Sequence, residues 1–375
     1  MADIKYMAMA LGLAEKGRGG VNPNPLVGAV IVKSGVIVGQ GYHQVLAGNH
    51  AEIEALLKAG LKARGATMYV TLEPCRHFGR TPPCTREIIK AGIKKVVIAT
   101  LDPNPLNNGR GLKELKENGI EIEKGLMEKE ARRLNEKFFT YYEKKRPFIS
   151  VKCAMTLDGK IATVTGASRW ISGRKARDYV HRLRHEHDAL MVGINTVRTD
   201  DPELTARLPG KNLRKPCIII ADSRLSIPLE ATVVKNAREN KCIIATTSAG
   251  ALGPKKKKLE KRGIEILAVK SRRGRVDLKD LIRRLAQRPI ISLLVEGGGE
   301  LIYSLLEEKM ADKIFFFYSP KLLGGRTAPT AVEGNGITNL AKAIRVRDLT
   351  SSRIGEDLLI TGYPVYDHPK RYPER

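Results

Sequence analysis

What the sequence has little of narrows its class first. Aromatic residues make up 5% of the 375 positions, with a single tryptophan, and no basic stretch interleaves aromatics of the kind that stack on unpaired bases. No run approaches the roughly 20 apolar residues that a membrane helix needs. The start, Met1-Ala2-Asp3-Ile4, lacks the basic-then-apolar layout of a signal peptide. No repeat of fixed period is visible. No Gly-x-Gly-x-x-Gly follows a strand, so a Rossmann dinucleotide site is not indicated. Cysteines number five, and an odd count with Cys153, Cys217 and Cys242 inside apolar strand-like runs does not read as a disulfide framework. Together these absences predict a cytoplasmic globular protein with no membrane partner.

Positive charge is abundant: 66 Lys and Arg stand against 40 Asp and Glu, a formal net charge of +26. A basic face eases the approach of phosphates. Here the cations are spread along the chain, which fits a solvated surface suited to anionic small molecules better than a nucleic-acid face. No nucleic-acid partner is expected. At this length one ordinary core is exceeded, so two domains are expected.

Periodicity and punctuation give the layout. A helix is predicted over 3–16, a hairpin over 27–41 turning at Ser34-Gly35, and then a helix at 51–59 ended by Gly60. Strands near 67–72, 95–100 and 120–123 alternate with helices at 85–91 and 111–118, and one long polar helix covers 128–144. The charged segment Glu143-Lys144-Lys145-Arg146-Pro147 marks a boundary. Beyond it, strands near 148–154, 189–192, 217–221, 242–246, 264–269, 290–295 and 313–318 alternate with helices near 174–186, 254–262, 278–286 and 299–308; strands at 344–349 and 358–362 follow. The expected domains are 1–145 and 146–363, with 364–375 a loose tail. Alternation of this kind predicts α/β architecture, a mostly parallel sheet with helices on both faces in each half.

Chemistry concentrates between His50 and Cys84. His50, Cys75 and Cys84 supply one imidazole and two thiolates, the donor set of a catalytic zinc with one position open for water, and Glu52 is a carboxylate beside it. Zinc brings the pKa of its water toward neutrality, and a glutamate that is not a ligand can carry the proton to a departing amine. His50 and Glu52 are two residues apart, about 200° around a helix, so both can face the metal only if His50 lies at or before the first turn. The order His-x-Glu, Pro-Cys, Cys is that of nucleobase deaminases, although eight residues separate the cysteines where two are usual. In the second half, Leu294-Val295-Glu296-Gly297-Gly298-Gly299 runs a strand through glycines into a helix, an arrangement whose free amides suit a pyrophosphate and which also occurs as a plain tight turn. His181, His185 and His187 cluster at a helix end; without a third ligand of clear spacing they read as a solvated helix face.

Longer segments carry a family resemblance. The loop Leu72-Glu73-Pro74-Cys75-Arg76-His77-Phe78-Gly79-Arg80-Thr81-Pro82-Pro83-Cys84 resembles the long zinc loop of the bifunctional riboflavin-biosynthesis deaminase-reductases. Asn22-Pro23-Asn24-Pro25-Leu26-Val27-Gly28, Gly41-Tyr42-His43 and Asp102-Pro103-Asn104-Pro105 are similar to that family as well. So are the segments 151–162, Ser168-Arg169-Trp170-Ile171-Ser172 and 192–202. Arg76 departs from it, standing where a small polar residue is more usual.

The resemblance implies a cytidine-deaminase-like α/β/α domain followed by a dihydrofolate-reductase-like α/β domain. It implies zinc held by His50, Cys75 and Cys84, proton transfer by Glu52, and substrate contacts at Asn24, His43, His77 and Arg80. In the second domain it implies NADPH contacts at Ala154, Trp170, Thr196, Asp200, Ser223, Gly298 and Gly299, and substrate contacts at Ser168, Arg184, Leu204, Arg207 and Glu296. The implied substrates are small phosphorylated pyrimidines: a diaminopyrimidinone ribosylamino phosphate is deaminated, and the ribosyl group of the aminouracil product is reduced to ribityl. A homo-oligomer, dimer or tetramer, is expected. The rival readings are a deaminase acting on nucleic acid and a non-catalytic nucleotide-binding protein with a structural zinc.

Overall fold

The computed structural model describes residues 2–78, 82–208 and 215–366. The chain divides into two compact units, Met1–Lys145 and Arg146–Arg375.

The first unit runs α1 (Ala2–Glu15), β1 (Gly28–Lys33), β2 (Val36–Tyr42), α2 (Ala51–Ala59), β3 (Thr67–Val70), α3 (Cys84–Lys90), β4 (Lys95–Ile98), α4 (Arg110–Glu117), β5 (Glu121–Lys124), α5 (Glu128–Leu134) and α6 (Glu136–Lys144). Its sheet has the order β2-β1-β3-β4-β5. Strand alternation sorts the side chains onto two faces. Ala29 and Ile31 of β1 join Met68, Val70, Val96 and Ile98 under α2, α3 and α4, where Ala55, Ile88 and Leu115 meet them. Val30 and Val32 point the other way, with Tyr69 and Val97, toward Met7 and Ala10 of α1 and Ala131 of α5.

Two expectations change in this unit. The sheet is mixed: β3, β4 and β5 pair parallel, whereas β1 pairs antiparallel with both β2 and β3. The hairpin turns the chain back before the first crossover helix, so β1 reaches the sheet reversed. The single helix expected over 128–144 is broken at Asn135, whose buried side chain accepts from Leu26 N and donates to Leu26 O, both at 2.8 Å. A two-point bridge to another segment outweighs one more helical turn there.

The second unit runs β6 (Phe148–Thr156), α7 (Arg174–His185), β7 (Ala189–Gly193), α8 (Ile194–Asp200), β8 (Cys217–Ala221), α9 (Thr232–Lys235), β9 (Cys242–Thr247), α10 (Pro254–Glu260), β10 (Ile264–Val269), β11 (Ser271–Arg272), β12 (Arg275–Val276), α11 (Leu278–Ala286), β13 (Ser292–Val295), α12 (Gly299–Glu307), β14 (Lys313–Ser319), β15 (Arg345–Ile354) and β16 (Asp357–Val365). Nine strands form one sheet in the order β10-β9-β8-β7-β13-β6-β14-β16-β15. Every pair from β10 to β14 is parallel, and the last two strands close the sheet as an antiparallel hairpin. The parallel part is apolar on both faces: Met191 and Ile219 enter one core, Leu190 and Ile218 the other.

Here too the structure departs from expectation. β15 extends to Ile354, past the expected end at 349, with a register shift between Arg347 and Thr350. It is an edge strand exposed from Arg345 to Arg353, so no alternation of buried and solvated positions marked its extent. β16 continues to Val365, and Tyr366 Oη donates to Ala311 O at 2.8 Å. The chain is therefore held past position 364, where a loose tail was expected to begin; 367–375 lie outside the described residues. The short helices α8 and α9 and the β11–β12 hairpin were not expected at all.

Candidate active sites

The first site forms where two helices begin. His50 is the N-cap of α2, with extended backbone (φ −73°, ψ 163°), and Glu52 lies in the first turn. That placement answers the geometric objection to His50 and Glu52 sharing a target: the imidazole sits ahead of the helix, so the separation of about 200° between helical positions two apart does not apply. Cys84 is the first residue of α3, and its backbone N–H points at Cys75 Sγ at 3.5 Å. His50 Nδ1 lies 3.3 Å from Cys84 Sγ and 3.6 Å from Cys75 Sγ, and the three donor atoms fall within 4.8 Å of one another. Tetrahedral zinc, with bonds of about 2.1 Å to nitrogen and about 2.3 Å to sulfur, sets its N and S ligands about 3.5 Å apart, so the donors fit that ion. They are the only such cluster of three among the described residues.

The site's electrostatics agree. The hydrogen bond from the Cys84 thiol, and then His50, draw Cys75 down to about 4, while the same hydrogen bond and burial push Cys84 well up. The sulfur pair thus shares one negative charge, and a divalent cation would displace the remaining proton. Glu52 is buried and its carboxyl is pushed up, burial outweighing the pull of His50.

Around these donors, His43 is buried with its ring edge-on to His50, centroids 5.3 Å apart. Its Nδ1 faces Asn49 O at 2.9 Å; a carbonyl only accepts, so Nδ1 carries the proton and Nε2 accepts from Asn24 Nδ2 at 3.2 Å. Burial lowers the pKa of this imidazole and keeps it neutral. Asn24, His43 and His50 thus form one wall. His77 has a buried Nδ1 with no hydrogen-bond partner, as suits an atom awaiting a polar ligand. Arg80 lies outside the described residues.

The second site is a cleft of about 1290 Å³ at the carboxyl ends of β6, β7, β8 and β13. Ala154, Ser168, Trp170, Arg184, Thr196, Asp200, Leu204, Arg207, Ser223, Glu296, Gly298 and Gly299 all line it. Within it Arg184 grips Glu296 with two parallel bonds, Nε to Oε1 at 2.6 Å and Nη2 to Oε2 at 2.9 Å, and donates to Thr205 O at 3.0 Å. Burial would push the Glu296 carboxyl up, but Arg184 and then Lys152 outweigh it and hold the pKa below the ordinary value. Ser168 Oγ donates to Asp200 Oδ1 at 3.0 Å, tying two implied contacts together.

Trp170 is 62% exposed, not core, with the Arg177 guanidinium 4.5 Å over its ring. Gly298 is the N-cap of α12; a Cβ there would meet nothing within 4 Å, whereas one on Gly299 would strike Thr330 O at 2.4 Å. The N-terminus of α12 therefore opens directly onto the cleft, and its amides can receive a phosphate.

Three side chains were misread or missed. Lys152, unremarked in the sequence, lines the cleft 3.9 Å from Glu296 Oε2. His181 is not on a solvated face: it lines the cleft beside Thr205 O and Arg207 N, at 3.2 and 3.3 Å from its Nδ1. His187 is buried, bridging Leu183 O and Ser150 Oγ at 2.7 and 2.8 Å. Ala176, Val180 and Leu183 form the buried stripe of α7, and His187 continues it four positions past Leu183, which could have flagged its burial; nothing local marks Lys152 or His181.

Comparison with known proteins bears on both sites. Residues 1–100 match the family described as the cytidine and deoxycytidylate deaminase zinc-binding region, and residues 147–360 match the RibD C-terminal domain. The chain is 45% identical over 360 residues to the riboflavin biosynthesis protein RibD of Actinobacillus pleuropneumoniae, covering 96% of this chain and 95% of that one. It superposes on a RibD structure from Acinetobacter baumannii with a TM-score of 0.88 at 35% identity, covering 97% and 99% of the two chains. A structure from Thermotoga maritima, described as a diaminohydroxyphosphoribosylaminopyrimidine deaminase/5-amino-6-(5-phosphoribosylamino)uracil reductase, gives 0.82 at 39% identity with the same coverages.

Proposed function

The chain belongs to the RibD family of riboflavin biosynthesis proteins, and from that premise we propose which of its residues perform each of the two reactions. It is a bifunctional enzyme, a zinc-dependent deaminase in residues 1–145 and an NADPH-dependent reductase in residues 146–366. Its substrates are the diaminopyrimidinone ribosylamino phosphate and the aminouracil phosphate that deamination leaves. The observation that carries the deaminase reading is the convergence of His50, Cys75 and Cys84 with buried Glu52 beside them.

When bound, zinc supplies a nucleophilic water at neutral pH and NADPH supplies the reducing equivalent. The chain's own residues do the rest. Glu52 takes a proton from the attacking water and delivers it to the exocyclic nitrogen, which leaves as ammonia while the ring carbon becomes a carbonyl. Its burial suits that task, since a raised pKa lets the same carboxyl hold a proton between the two steps. Neutral His43 fixes the Asn24 amide against the ring, and His77 Nδ1 meets the pyrimidine or its ribose phosphate. Arg80, from the same loop, pairs with the phosphate.

In the reductase half, Ala154, Trp170, Thr196, Asp200, Ser223, Gly298 and Gly299 hold NADPH, the phosphates lying at the start of α12. Ser168, Arg184, Leu204, Arg207 and Glu296 hold the ribosylamino phosphate. The chain works in the cytoplasm as a homo-oligomer, dimer or tetramer; the exposed Leu340, Val346, Leu349 and Leu358 on and before the closing hairpin support self-association. No described helix is long and apolar enough to cross a membrane.

One assay tests the assignment. With the diaminopyrimidinone phosphate alone, the enzyme releases ammonia; with NADPH added, cofactor oxidation follows and cannot exceed the ammonia released. Cofactor oxidation without ammonia would contradict the order of the two steps, and RNA deamination with no NADPH oxidation would favour the nucleic-acid reading.

A further inference from the structure

The segment Asp102-Pro103-Asn104-Pro105 stands out in the sequence, yet it supplies no donor to the metal cluster. It delivers one side chain to the zinc loop. Asp102 Oδ1 accepts from Asn104 N at 2.8 Å, Asn104 Oδ1 accepts from Leu106 N at 3.1 Å, and Asn104 O accepts from Asn107 N at 2.9 Å. Two Asx turns and a backbone turn thus wind the chain inward and present Asn107, which is fully buried.

We propose that Asn107 is the positioning residue of the metal ligand Cys75. Its side-chain amide reaches the main chain on both sides of that cysteine. Nδ2 lies 3.4 Å from Glu73 O and 3.3 Å from Pro74 O, and Oδ1 accepts from Arg76 N at 3.2 Å. The remaining peptide group is held as well, Cys75 O accepting from Thr85 N at 3.2 Å. With the backbone clamped before, at and after position 75, the thiolate has only its own side-chain rotation left. Nδ2 also lies 3.3 Å from Asp102 Oδ2, which sets the plane of the amide.

The clamp is anchored to α4. The buried Glu73 carboxylate accepts from Gly109 N at 2.8 Å and Asp102 N at 3.2 Å through Oε2, and from Gly111 N at 2.9 Å and Leu112 N at 3.4 Å through Oε1. Gly111 is required by this approach, since a Cβ there would lie 2.3 Å from Pro74 O. The other thiol is tied to the same helix: Thr85, next to Cys84, donates from Oγ1 to Glu114 Oε2 at 3.0 Å. So α4 and the turn ahead of it carry both sulfurs, and Asn107 sets the position of one relative to the other. Groups that hold metal ligands from outside typically change metal affinity or activity about 10–100-fold when removed.

This inference rests on the reading of His50, Cys75 and Cys84 as a zinc site. It is tested on the full-length chain, stripped and then titrated with zinc against a chromophoric chelator. The titration is run at a temperature where circular dichroism shows the protein folded. Asn107→Ala is expected to weaken zinc binding about 10–100-fold and to alter the thiolate-to-metal charge-transfer band of the Co2+ form. NADPH oxidation on the aminouracil phosphate stays at the wild-type rate. Asn107→Ser, which keeps one hydroxyl donor, gives a smaller loss in the same direction and serves if the alanine variant does not fold. A folded variant that binds zinc within about twofold of wild type, with an unchanged Co2+ spectrum, overturns the role of Asn107 and leaves the zinc site standing. A wild-type chain that takes up no stoichiometric zinc overturns the zinc reading itself.

Discussion

Glu52→Gln is expected to lower ammonia release by about 10²- to 10⁴-fold, the usual worth of a positioned general acid-base, while zinc content stays at the wild-type level. The amide has the size and shape of the carboxyl, so the packing around a fully enclosed side chain is preserved. It cannot accept the proton from water, and so cannot return it to the leaving nitrogen. Zinc is expected to stay because none of the three proposed donors, His50, Cys75 and Cys84, is at position 52. Reduction of the aminouracil phosphate is untouched, since the cleft that carries it is built from the second unit alone. Ammonia release at the wild-type rate with unchanged zinc would remove Glu52 from the mechanism and support a structural metal.

The second large effect is on stability. Arg184→Ala leaves the Glu296 carboxylate buried with Lys152, 3.9 Å away, as its remaining ion-pair partner among the described residues, and breaking a buried pair from one side typically costs about 3–5 kcal/mol. The only tryptophan, Trp170, lies in the second unit, so its fluorescence in a urea titration reads the loss there. Replacing both partners by apolar residues, Arg184→Met with Glu296→Leu, is expected to restore most of the stability without restoring reductase activity. That split separates the pair's structural part from its proposed part in binding substrate. A single Arg184→Ala that unfolds at the wild-type urea concentration would contradict the account.

The same pair gives stability a pH dependence of definite sign. The folded pKa of Glu296 lies below its ordinary value of 4.5, so the pair's contribution is fully present above that value and is lost as pH falls through the folded value. Acid therefore weakens the second unit, and the double apolar variant lacks that part of the loss.

Much of this was legible in the chain because its signals are local. His50, Glu52 and Cys84 sit at helix beginnings that Gly and Pro already punctuate, Cys75 lies in the loop that leads into the second of them, and the strands of the second unit are continuous apolar runs between turn residues. The parts that were not legible depend on partners far away in sequence. Asn135 breaks a helix for Leu26, 109 positions earlier. Lys152 faces Glu296 through a sheet neighbour that no local pattern announces, and His187 is buried against Ser150, 37 positions earlier. β15 was cut short because it is exposed from Arg345 to Arg353 and offers no alternation of buried and solvated positions. Asn107 belongs with these: the segment ahead of it carried the family resemblance, but its target at Cys75 was not visible.

The central claim is that one chain holds two separate reaction centres, with the metal serving only the first. Removal of zinc by a chelator, with both activities followed in the same preparation, tests it most directly. The account predicts that ammonia release from the diaminopyrimidinone phosphate falls to background and returns on adding zinc, while NADPH oxidation on the aminouracil phosphate continues at its original rate. Ammonia release that survives complete loss of zinc, or reductase activity that falls along with it, would contradict the account.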